Sequence, residues 1–219
     1  MLLPRTLAFA SVDLIAIDVA ILPPPHVSRL AMELSSGLPA EGEDRLVLDD
    51  QHIPHITLTQ QFVRVEELDL VMRDIDNVLR VVRPMPLRVR GGSTSGHTVW
   101  IAIERSTELA ALHESLMEAL RGVERPGGTP AAFADGDARM RDLLWVSGYR
   151  LKSSFGAYTP HITLGHGAEP PHIEPVDFVA DTVAACQLGR FCSCRRVLRR
   201  WTLSAAAEPS PSNTDPRHQ

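Results

Sequence analysis

Hydrophobic residues follow two periodicities in turn along the chain, and this alternation predicts strands and helices. Runs of aliphatic and β-branched residues bounded by Pro or Gly indicate strands, whereas apolar residues three and four positions apart indicate helices. Strands are predicted at Asp13–Leu22, Ile53–Val63, Leu87–Arg90, Thr98–Glu104, Leu143–Leu151, His161–Gly165, Pro175–Leu188 and Arg196–Leu203. Helices are predicted at His26–Leu38, Glu66–Val82 and Thr107–Leu120, the last with Ser106 or Thr107 as its N-cap.

The remaining segments lack these patterns and are predicted to connect or to end the chain. Pro39–Arg45 is polar, Gly91–Gly96 joins two predicted strands as a hairpin, and Arg121–Asp142 is rich in Gly, Pro, Ala and Asp. Long connections of the last kind often form lids or variable insertions. Residues 205–219 have no apolar pattern and are expected to form a disordered tail after a single two-lobed domain over residues 1–204.

Short connections between several predicted strands imply antiparallel pairing, so the predicted fold class is α+β. The composition, with 44% hydrophobic and 22% charged residues, is typical of a soluble globular protein. A net charge of −5 argues against sequence-independent coating of nucleic acid, so no extended nucleic-acid groove is expected. A small nucleotide in a locally basic pocket stays compatible with this charge.

Two further features bear on membranes and compartment. The apolar segment Leu7–Leu22 carries Asp13 and Asp18, and it is too short and too charged to span a bilayer. Three cysteines cluster between positions 186 and 194 without a Cys-x-x-Cys motif. This pattern favours idle thiols in a reducing cytoplasm over disulfides or a zinc site.

One pentapeptide, Pro-His-Ile-Thr-Leu, occurs twice, at Pro54–Leu58 and at Pro160–Leu164. A single His-x-Thr would mean little in a chain with nine histidines. The chance that any five-residue word recurs is roughly a few per cent, so coincidence is a poor account of the repeat.

The motif has a defined geometry if it lies on a strand. Residues i and i+2 of a strand face the same side, so His55 and Thr57 are predicted to be neighbours, as are His161 and Thr163. If the two halves are related by a pseudo-twofold axis, these two pairs face each other across a cleft. The residues between them then point into the core.

Two imidazoles and two hydroxyls suit the cleavage of a phosphodiester. One imidazole accepts a proton while the other donates one to the leaving oxygen, because imidazole titrates near neutrality. The hydroxyls can hydrogen-bond the non-bridging oxygens. This scheme requires no metal and no cofactor. A metal site is the competing interpretation, but no Asp or Glu stands at ligand spacing from either histidine.

At these residues the sequence resembles the 2H phosphoesterase superfamily, in its 2′-5′ RNA ligase-like and cyclic-nucleotide phosphodiesterase branch. The resemblance extends from about Asp13 to Leu203. Besides the two motifs it includes Gln61-Phe62, Trp145–Tyr149, Ser153–Phe155, Cys186–Arg190 and Arg196–Leu203. It implies a two-lobed, pseudo-symmetric fold with antiparallel sheets flanked by helices around a central cleft.

The resemblance also implies roles for individual residues. His55 and His161 would be the catalytic proton-transfer pair, and Thr57 and Thr163 would bind phosphate. Relatives often carry an arginine three positions after the second threonine, where this chain has His166, which makes His166 a candidate substrate contact. The assignment of base and acid between the two histidines stays open.

The other candidates have competing interpretations. Tyr158 is a candidate base-stacking contact, and a core position is the preferred alternative. His97, His113 and His172 are predicted to face solvent.

The predicted function is hydrolysis of a nucleotide phosphodiester, either a 2′,3′-cyclic phosphate or a 2′-5′ linkage, in a nucleotide or at an RNA end. The alternatives are 2′-5′ RNA ligation by the same site and a non-catalytic nucleotide- or RNA-binding module. The sequence does not define the oligomeric state.

Overall fold

Eight β-strands and four α-helices form within residues 13–39 and 44–204, the parts of the chain that the computed structural model describes. The strands are β1 (Leu14–Ile21), β2 (Ile56–Arg64), β3 (Met85–Ser95), β4 (Thr98–Ile103), β5 (His161–His166), β6 (Val176–Ala180), β7 (Thr182–Leu188) and β8 (Cys194–Thr202). The helices are α1 (Pro25–Ser36), α2 (Leu68–Leu79), α3 (Thr107–Ala119) and α4 (Met140–Lys152). The predicted tail at 205–219 and residues 40–43 of the predicted loop lie outside the described residues.

The described strands form two four-stranded antiparallel sheets. Their strand orders are β2-β1-β7-β8 and β5-β4-β3-β6. Each Pro-His-Ile-Thr-Leu motif therefore contributes the edge strand of one sheet, and these two edge strands contact each other. The α+β class with antiparallel pairing is confirmed, and the two motifs occupy equivalent places in the two sheets.

A continuous apolar core joins both sheets to the first three helices. Strand β1 is buried on both faces: Ile17, Val19 and Ile21 lie in this core, and the alternate residues Ala16 and Ala20 lie in two smaller apolar clusters. The helices contribute their apolar stripes, and burial of each large aliphatic side chain contributes about 1.5–3 kcal/mol. Helix α4 lies apart from this core, where Val146 joins a second cluster around Phe62.

The predicted strand at Leu143–Leu151 is wrong, because this segment lies within α4, Met140–Lys152. The buried positions of α4 are Asp142, Val146 and Tyr149, which are four and three residues apart. That spacing places them on one face of a helix, which packs against β2.

Two other predictions need correction. Pro175–Leu188 is not one strand, since the chain leaves the second sheet after β6 and enters the first sheet as β7, with a break at Asp181. Most of Gly91–Gly96 continues β3 instead of forming the hairpin loop, and Gly91 takes a positive φ of 142° at a bulge. The hairpin turns at Gly96 and His97.

The remaining predicted elements are confirmed with small shifts at their ends. Ser106 is the N-cap of α3, where its hydroxyl accepts a hydrogen bond from the Leu109 amide at 3.1 Å. His97 and His172 are exposed, as predicted. Among the described residues, the helices are all too short or too polar to cross a membrane.

Candidate active site

The two motif histidines are held by the same local contact. The Nδ1 atom of His55 lies 2.7 Å from the carbonyl oxygen of Ile53, and Nδ1 of His161 lies 2.7 Å from that of Thr159. A carbonyl oxygen only accepts, so each Nδ1 carries the proton and donates it. The Nε2 atom of each neutral ring is therefore left as an acceptor with an available lone pair.

All four motif side chains line one cavity of about 670 Å³. His55 is nearly buried, whereas Thr57, His161 and Thr163 are each half-buried. The intervening isoleucines and following leucines are buried on the other side, as strand periodicity predicts. The structure thus brings the four residues together, while their chemical roles stay predictions.

The first motif strand carries a β-bulge within the motif. Thr59 and Thr57 pair with consecutive residues of β1, which leaves Leu58 without a cross-strand partner. A bulge inserts one extra residue, so the side chain that shares the face of Thr57 is three positions later instead of two. This residue is Gln60, whose Nε2 atom lies 3.4 Å from Thr57 Oγ1 and which lines the cavity.

The second motif strand has its bulge at the equivalent leucine. Gly165 and Thr163 pair with consecutive residues of β4, so Leu164 is the extra residue. The residue three positions after Thr163 is His166, which lines the same cavity. The pseudo-symmetry therefore extends beyond the repeated pentapeptide, and Gln60 and His166 are equivalent positions in the two halves.

A buried carboxyl group, Asp18, lies beneath the first motif. Its Oδ2 atom accepts hydrogen bonds from Thr57 Oγ1 and Gln60 Nε2, both at 2.7 Å. The Nε2 atom of His55 is 3.7 Å from the same oxygen, beyond hydrogen-bonding distance. The sequence does carry a signal for this residue, because a lone carboxyl group stands in the middle of an otherwise apolar buried strand.

Burial opposes charge on both Asp18 and His55. It raises the pKa of Asp18 to about 7, although the hydrogen bonds from Gln60 and Thr57 act in the opposite direction. Burial also lowers the pKa of His55, against the effect of the hydrogen bond to Ile53. The contact is therefore one between groups that favour their neutral forms, not a salt bridge.

His161 is electrostatically linked to His55. Burial lowers the pKa of His161, the hydrogen bond to Thr159 raises it, and a charge on His55 lowers it further. Protonation of one imidazole therefore disfavours protonation of the other. The indole ring of Trp100, on the neighbouring strand, lies with its centroid 5.5 Å from that of His161 and lines the cavity beside it.

The candidate contact His166 lies at the end of the cavity where Phe191 and Arg139 meet. Burial and the charge of Arg139 lower the pKa of His166. The Phe191 ring centroid is 5.6 Å from that of His166, and the Arg139 guanidinium lies 3.9 Å from the centre of the phenyl ring. Arg139 also donates two hydrogen bonds to Asp142, so its charge is compensated.

Tyr158 and His113 join the two motifs below the cavity. The Tyr158 hydroxyl donates to the Thr57 carbonyl at 3.0 Å, and its ring stacks on His113 with centroids 3.9 Å apart. Tyr158 lies in the core, where the residue is 3% exposed, although it also lines the cavity. His113 is fully buried, so the prediction that it faces solvent is wrong.

His113 is buried because both of its ring nitrogens have backbone partners. Its Nδ1 atom donates to the Leu58 carbonyl at 2.5 Å, and its Nε2 atom accepts from the Phe155 amide at 2.9 Å. A neutral imidazole with one donor and one acceptor satisfied can be buried at little cost.

One set of described residues has the donor types of a metal site. Ligand atoms of Asp18, His55 and Cys194 all lie within 4.8 Å of one another. Sequence spacing gave no indication of this set, because β1 and β8 bring the carboxyl group and the thiol to His55 from distant positions.

Comparisons with known proteins agree with the architecture. The family model described as the 2′-5′ RNA ligase superfamily matches residues 23–192. The fold is similar to that of TT0787 of Thermus thermophilus, with a TM-score of 0.59 and 18% identity over 88% of this chain and 100% of that one. It is also similar to E. coli LigT complexed with 3′-AMP, with a TM-score of 0.54 and 16% identity over 88% and 100% of the two chains.

A second structure of E. coli LigT, complexed with NADP+, gives a TM-score of 0.54 and 16% identity over 88% of this chain and 99% of that one. No curated protein matches the sequence significantly. At these identities the structures establish the two-lobed fold.

Proposed function

Because the chain belongs to the 2′-5′ RNA ligase superfamily, we propose that it is a metal-independent phosphodiesterase that cleaves a 2′,3′-cyclic phosphate or a 2′-5′ linkage of a nucleotide. The predicted membership of the 2H phosphoesterases is thereby confirmed. The observation that carries the proposal is the pair of identically held imidazoles, His55 and His161, lining one cavity.

The size of the cavity supports a nucleotide as the substrate. Its volume of about 670 Å³ lies within the range of ordinary small-molecule sites. The solved structures of E. coli LigT with 3′-AMP, NADP+ and ATP contain nucleotides in a protein of the same fold. We propose the same ligand class for this chain.

The two imidazoles supply general acid and base catalysis. One neutral ring accepts a proton at Nε2 from the attacking water, and the other ring, protonated, donates from Nε2 to the leaving oxygen. Since a charge on His55 disfavours a charge on His161, the state in which both rings are protonated is disfavoured, and the two rings can differ in protonation as acid and base catalysis requires. The orientation of the bound phosphodiester decides which ring is the base.

The two threonines serve the phosphate in our proposal. A hydroxyl group that donates to a non-bridging oxygen stabilises the charge that develops there. The Thr57 hydroxyl has a single proton, and it donates this proton to Asp18. When the Asp18 carboxyl group is neutral, it can instead donate its own proton to the Thr57 oxygen, and the hydroxyl proton of Thr57 is then available to phosphate. The raised pKa of Asp18 favours that state near and below neutral pH.

RNA ligation is the second candidate, since it gives the superfamily its name. The charges around the cavity favour hydrolysis of a small substrate instead. Among the described residues that line the cavity, Arg139 is paired with Asp142 and Arg141 lies 3.9 Å from Asp44, so these arginines do not form an uncompensated basic track. Incubation with tRNA halves separates the two reactions, because only ligation yields a longer RNA.

A panel of substrates tests the proposed reaction. It comprises 2′,3′-cyclic nucleotides, 2′-5′ and 3′-5′ dinucleotides and the cyclic phosphate of ADP-ribose, with products identified by mass spectrometry. We expect hydrolysis of a 2′,3′-cyclic or 2′-5′ substrate in the presence of EDTA. Hydrolysis restricted to 3′-5′ linkages, or no hydrolysis at all, would contradict the proposal.

We propose the reducing cytoplasm as the compartment of this protein, since the three cysteines are free thiols.

A further inference from the structure

Three side chains from distant parts of the chain come together beneath the cavity. Asp18 comes from the middle of β1, His55 from the residue before β2, and Cys194 from the start of β8. Their ligand atoms all lie within 4.8 Å of one another. Asp18 and Cys194 are fully buried, and His55 is 9% exposed on the side of the cavity. His55 is the member of the cluster that lines the cavity.

A polar atom of this cluster lacks a partner. The Oδ2 atom of Asp18 accepts from Thr57 and Gln60, whereas its Oδ1 atom is buried with no hydrogen-bond partner among the described residues. A buried carboxyl oxygen without a partner is destabilising, because the hydrogen bonds to water that it loses on folding are not replaced. A cation bound to this carboxylate would compensate for the missing partner.

The geometry of the cluster suits zinc. Tetrahedral Zn²⁺ with bonds of about 2.0–2.3 Å holds its ligand atoms about 3.3–3.7 Å apart. The His55 Nε2 and Asp18 Oδ2 atoms are 3.7 Å apart, and the ligand atoms of all three residues lie within 4.8 Å of one another, so the cluster would contract when zinc binds. The Nδ1 atom of His55 donates to the Ile53 carbonyl, which is the contact that usually orients a metal-bound imidazole.

The charges of the three ligands also balance the charge of Zn²⁺. Deprotonated Asp18 and Cys194 with a neutral His55 carry two negative charges, which equal the charge of Zn²⁺. The bound site would be neutral overall, which lowers the cost of placing it in a buried position. A thiolate and an imidazole are the ligand types that favour Zn²⁺ over Mg²⁺ or Ca²⁺.

We propose that Asp18, His55 and Cys194 form an inhibitory Zn²⁺ site. Zinc bound there occupies the Nε2 atom of His55, so this imidazole can no longer accept or donate a proton. Binding does not depend on the proposed function, whereas inhibition does. The site would make the enzyme sensitive to free zinc while its reaction needs no metal.

Zinc binding is measured by competition with a chromophoric chelator on the full chain. We expect one Zn²⁺ per wild-type chain, and affinity at least about 10-fold lower in Cys194→Ala. Cys192→Ala is the matched control, because Cys192 lines the same cavity outside the cluster. Absence of zinc binding by the wild type, or equal affinity in Cys194→Ala, would overturn the proposal, as would equal weakening in Cys192→Ala.

Two further measurements guard against a variant that does not fold. Cys194→Ser keeps the buried volume but replaces the thiolate with a poor ligand, and it should show the same loss of affinity. Co²⁺ bound to the wild type should give the charge-transfer absorption of a thiolate ligand, which Cys194→Ser lacks. Cobalt spectra without that absorption in the wild type would exclude Cys194 as a ligand.

Measurements of hydrolysis then separate the proposed zinc site from the proposed phosphodiesterase function. Zn²⁺ should inhibit hydrolysis by the wild type, EDTA should restore it, and Cys194→Ser should need at least about 10-fold more zinc for the same inhibition. Stimulation by Zn²⁺ would contradict the inhibitory role. If no substrate of the panel is hydrolysed but one zinc binds through Cys194, the site stands and the proposed function fails.

Discussion

The Tyr158 hydroxyl donates a hydrogen bond to the carbonyl oxygen of Thr57 at 3.0 Å, so the segment that leads into the second motif is tied to the backbone of the first. His113 adds a second link, from Leu58 to Phe155, and stacks on the tyrosine ring. Both links are buried and lie beneath the cavity. They hold the two motif strands in fixed relative positions before any substrate binds, as a preorganised site requires.

Replacement of His113 should therefore lower the stability of the fold. We expect His113→Ala to reduce the free energy of unfolding by about 2–4 kcal/mol, because it leaves a cavity and removes the partners of the buried Leu58 carbonyl and the half-buried Phe155 amide. Urea denaturation measures this change. His97→Ala, at an exposed position, is the control and should stay within about 0.5 kcal/mol of the wild type. Equal stability of the two variants would show that His113 does not join the motifs.

The pH dependence of kcat/KM should show an acidic optimum. One histidine must be neutral and the other protonated, so the maximum lies midway between the two pKa values of the free enzyme. Burial lowers the pKa of both His55 and His161. We expect a bell-shaped profile with its maximum below about pH 6.5, the ordinary pKa of histidine. A rate that keeps rising to about pH 8 would disagree with this assignment.

Replacement of the two threonines should have unequal effects. Thr163→Val and Thr57→Val should each lower kcat/KM about 10–100-fold, because each removes a hydrogen bond to developing charge. Thr57→Val should also reduce the free energy of unfolding by about 1–3 kcal/mol, since buried Asp18 loses one of its two donors. Steady-state kinetics and urea denaturation give the two readouts. Equal stability of both variants would argue against the contact with Asp18.

The buried carboxyl group should make stability depend on pH. The pKa of Asp18 is about 7 in the folded chain and about 3.9 when unfolded, so the folded state binds more protons between these values. Its stabilising contribution is complete below the unfolded value and is lost as pH rises through 7. Relative to Asp18→Asn, the wild type should lose up to about 1.4 kcal/mol per pH unit over this range.

Denaturation of both proteins at several values between about pH 5 and pH 8 checks this prediction. Groups other than Asp18 titrate in both proteins, so their effects cancel in the difference. A difference in the free energy of unfolding that is constant with pH would mean that Asp18 is ionised in the folded state throughout.

Most of the fold follows from local sequence patterns, and the main error has a physical reason. Helix α4 has no Ser, Thr, Asp or Asn at its N-cap, because Arg139 fills this position through its contacts with Asp142. Its exposed face carries Leu144 and Leu151, which hides the helical periodicity of its buried face. The run of Trp, Val and Tyr then resembles a strand.

The site was partly accessible from the sequence. Strand periodicity and the repeated pentapeptide identify the four motif residues, since both patterns are formed by residues close to one another in the sequence. Gln60 was missed because the bulge at Leu58 shifts the alternation of faces by one residue. Asp18 and Cys194 were missed because their proximity to His55 arises only from the order of strands in the first sheet.

Turnover by single-histidine variants tests the central claim most directly. With the best substrate of the panel and EDTA present, His55→Ala and His161→Ala should each lower kcat by roughly 10²–10⁴-fold. His97→Ala, exposed and outside the cavity, should match the wild type. Turnover near the wild-type rate in either His55→Ala or His161→Ala, with the fold intact by circular dichroism, would contradict the two-histidine mechanism.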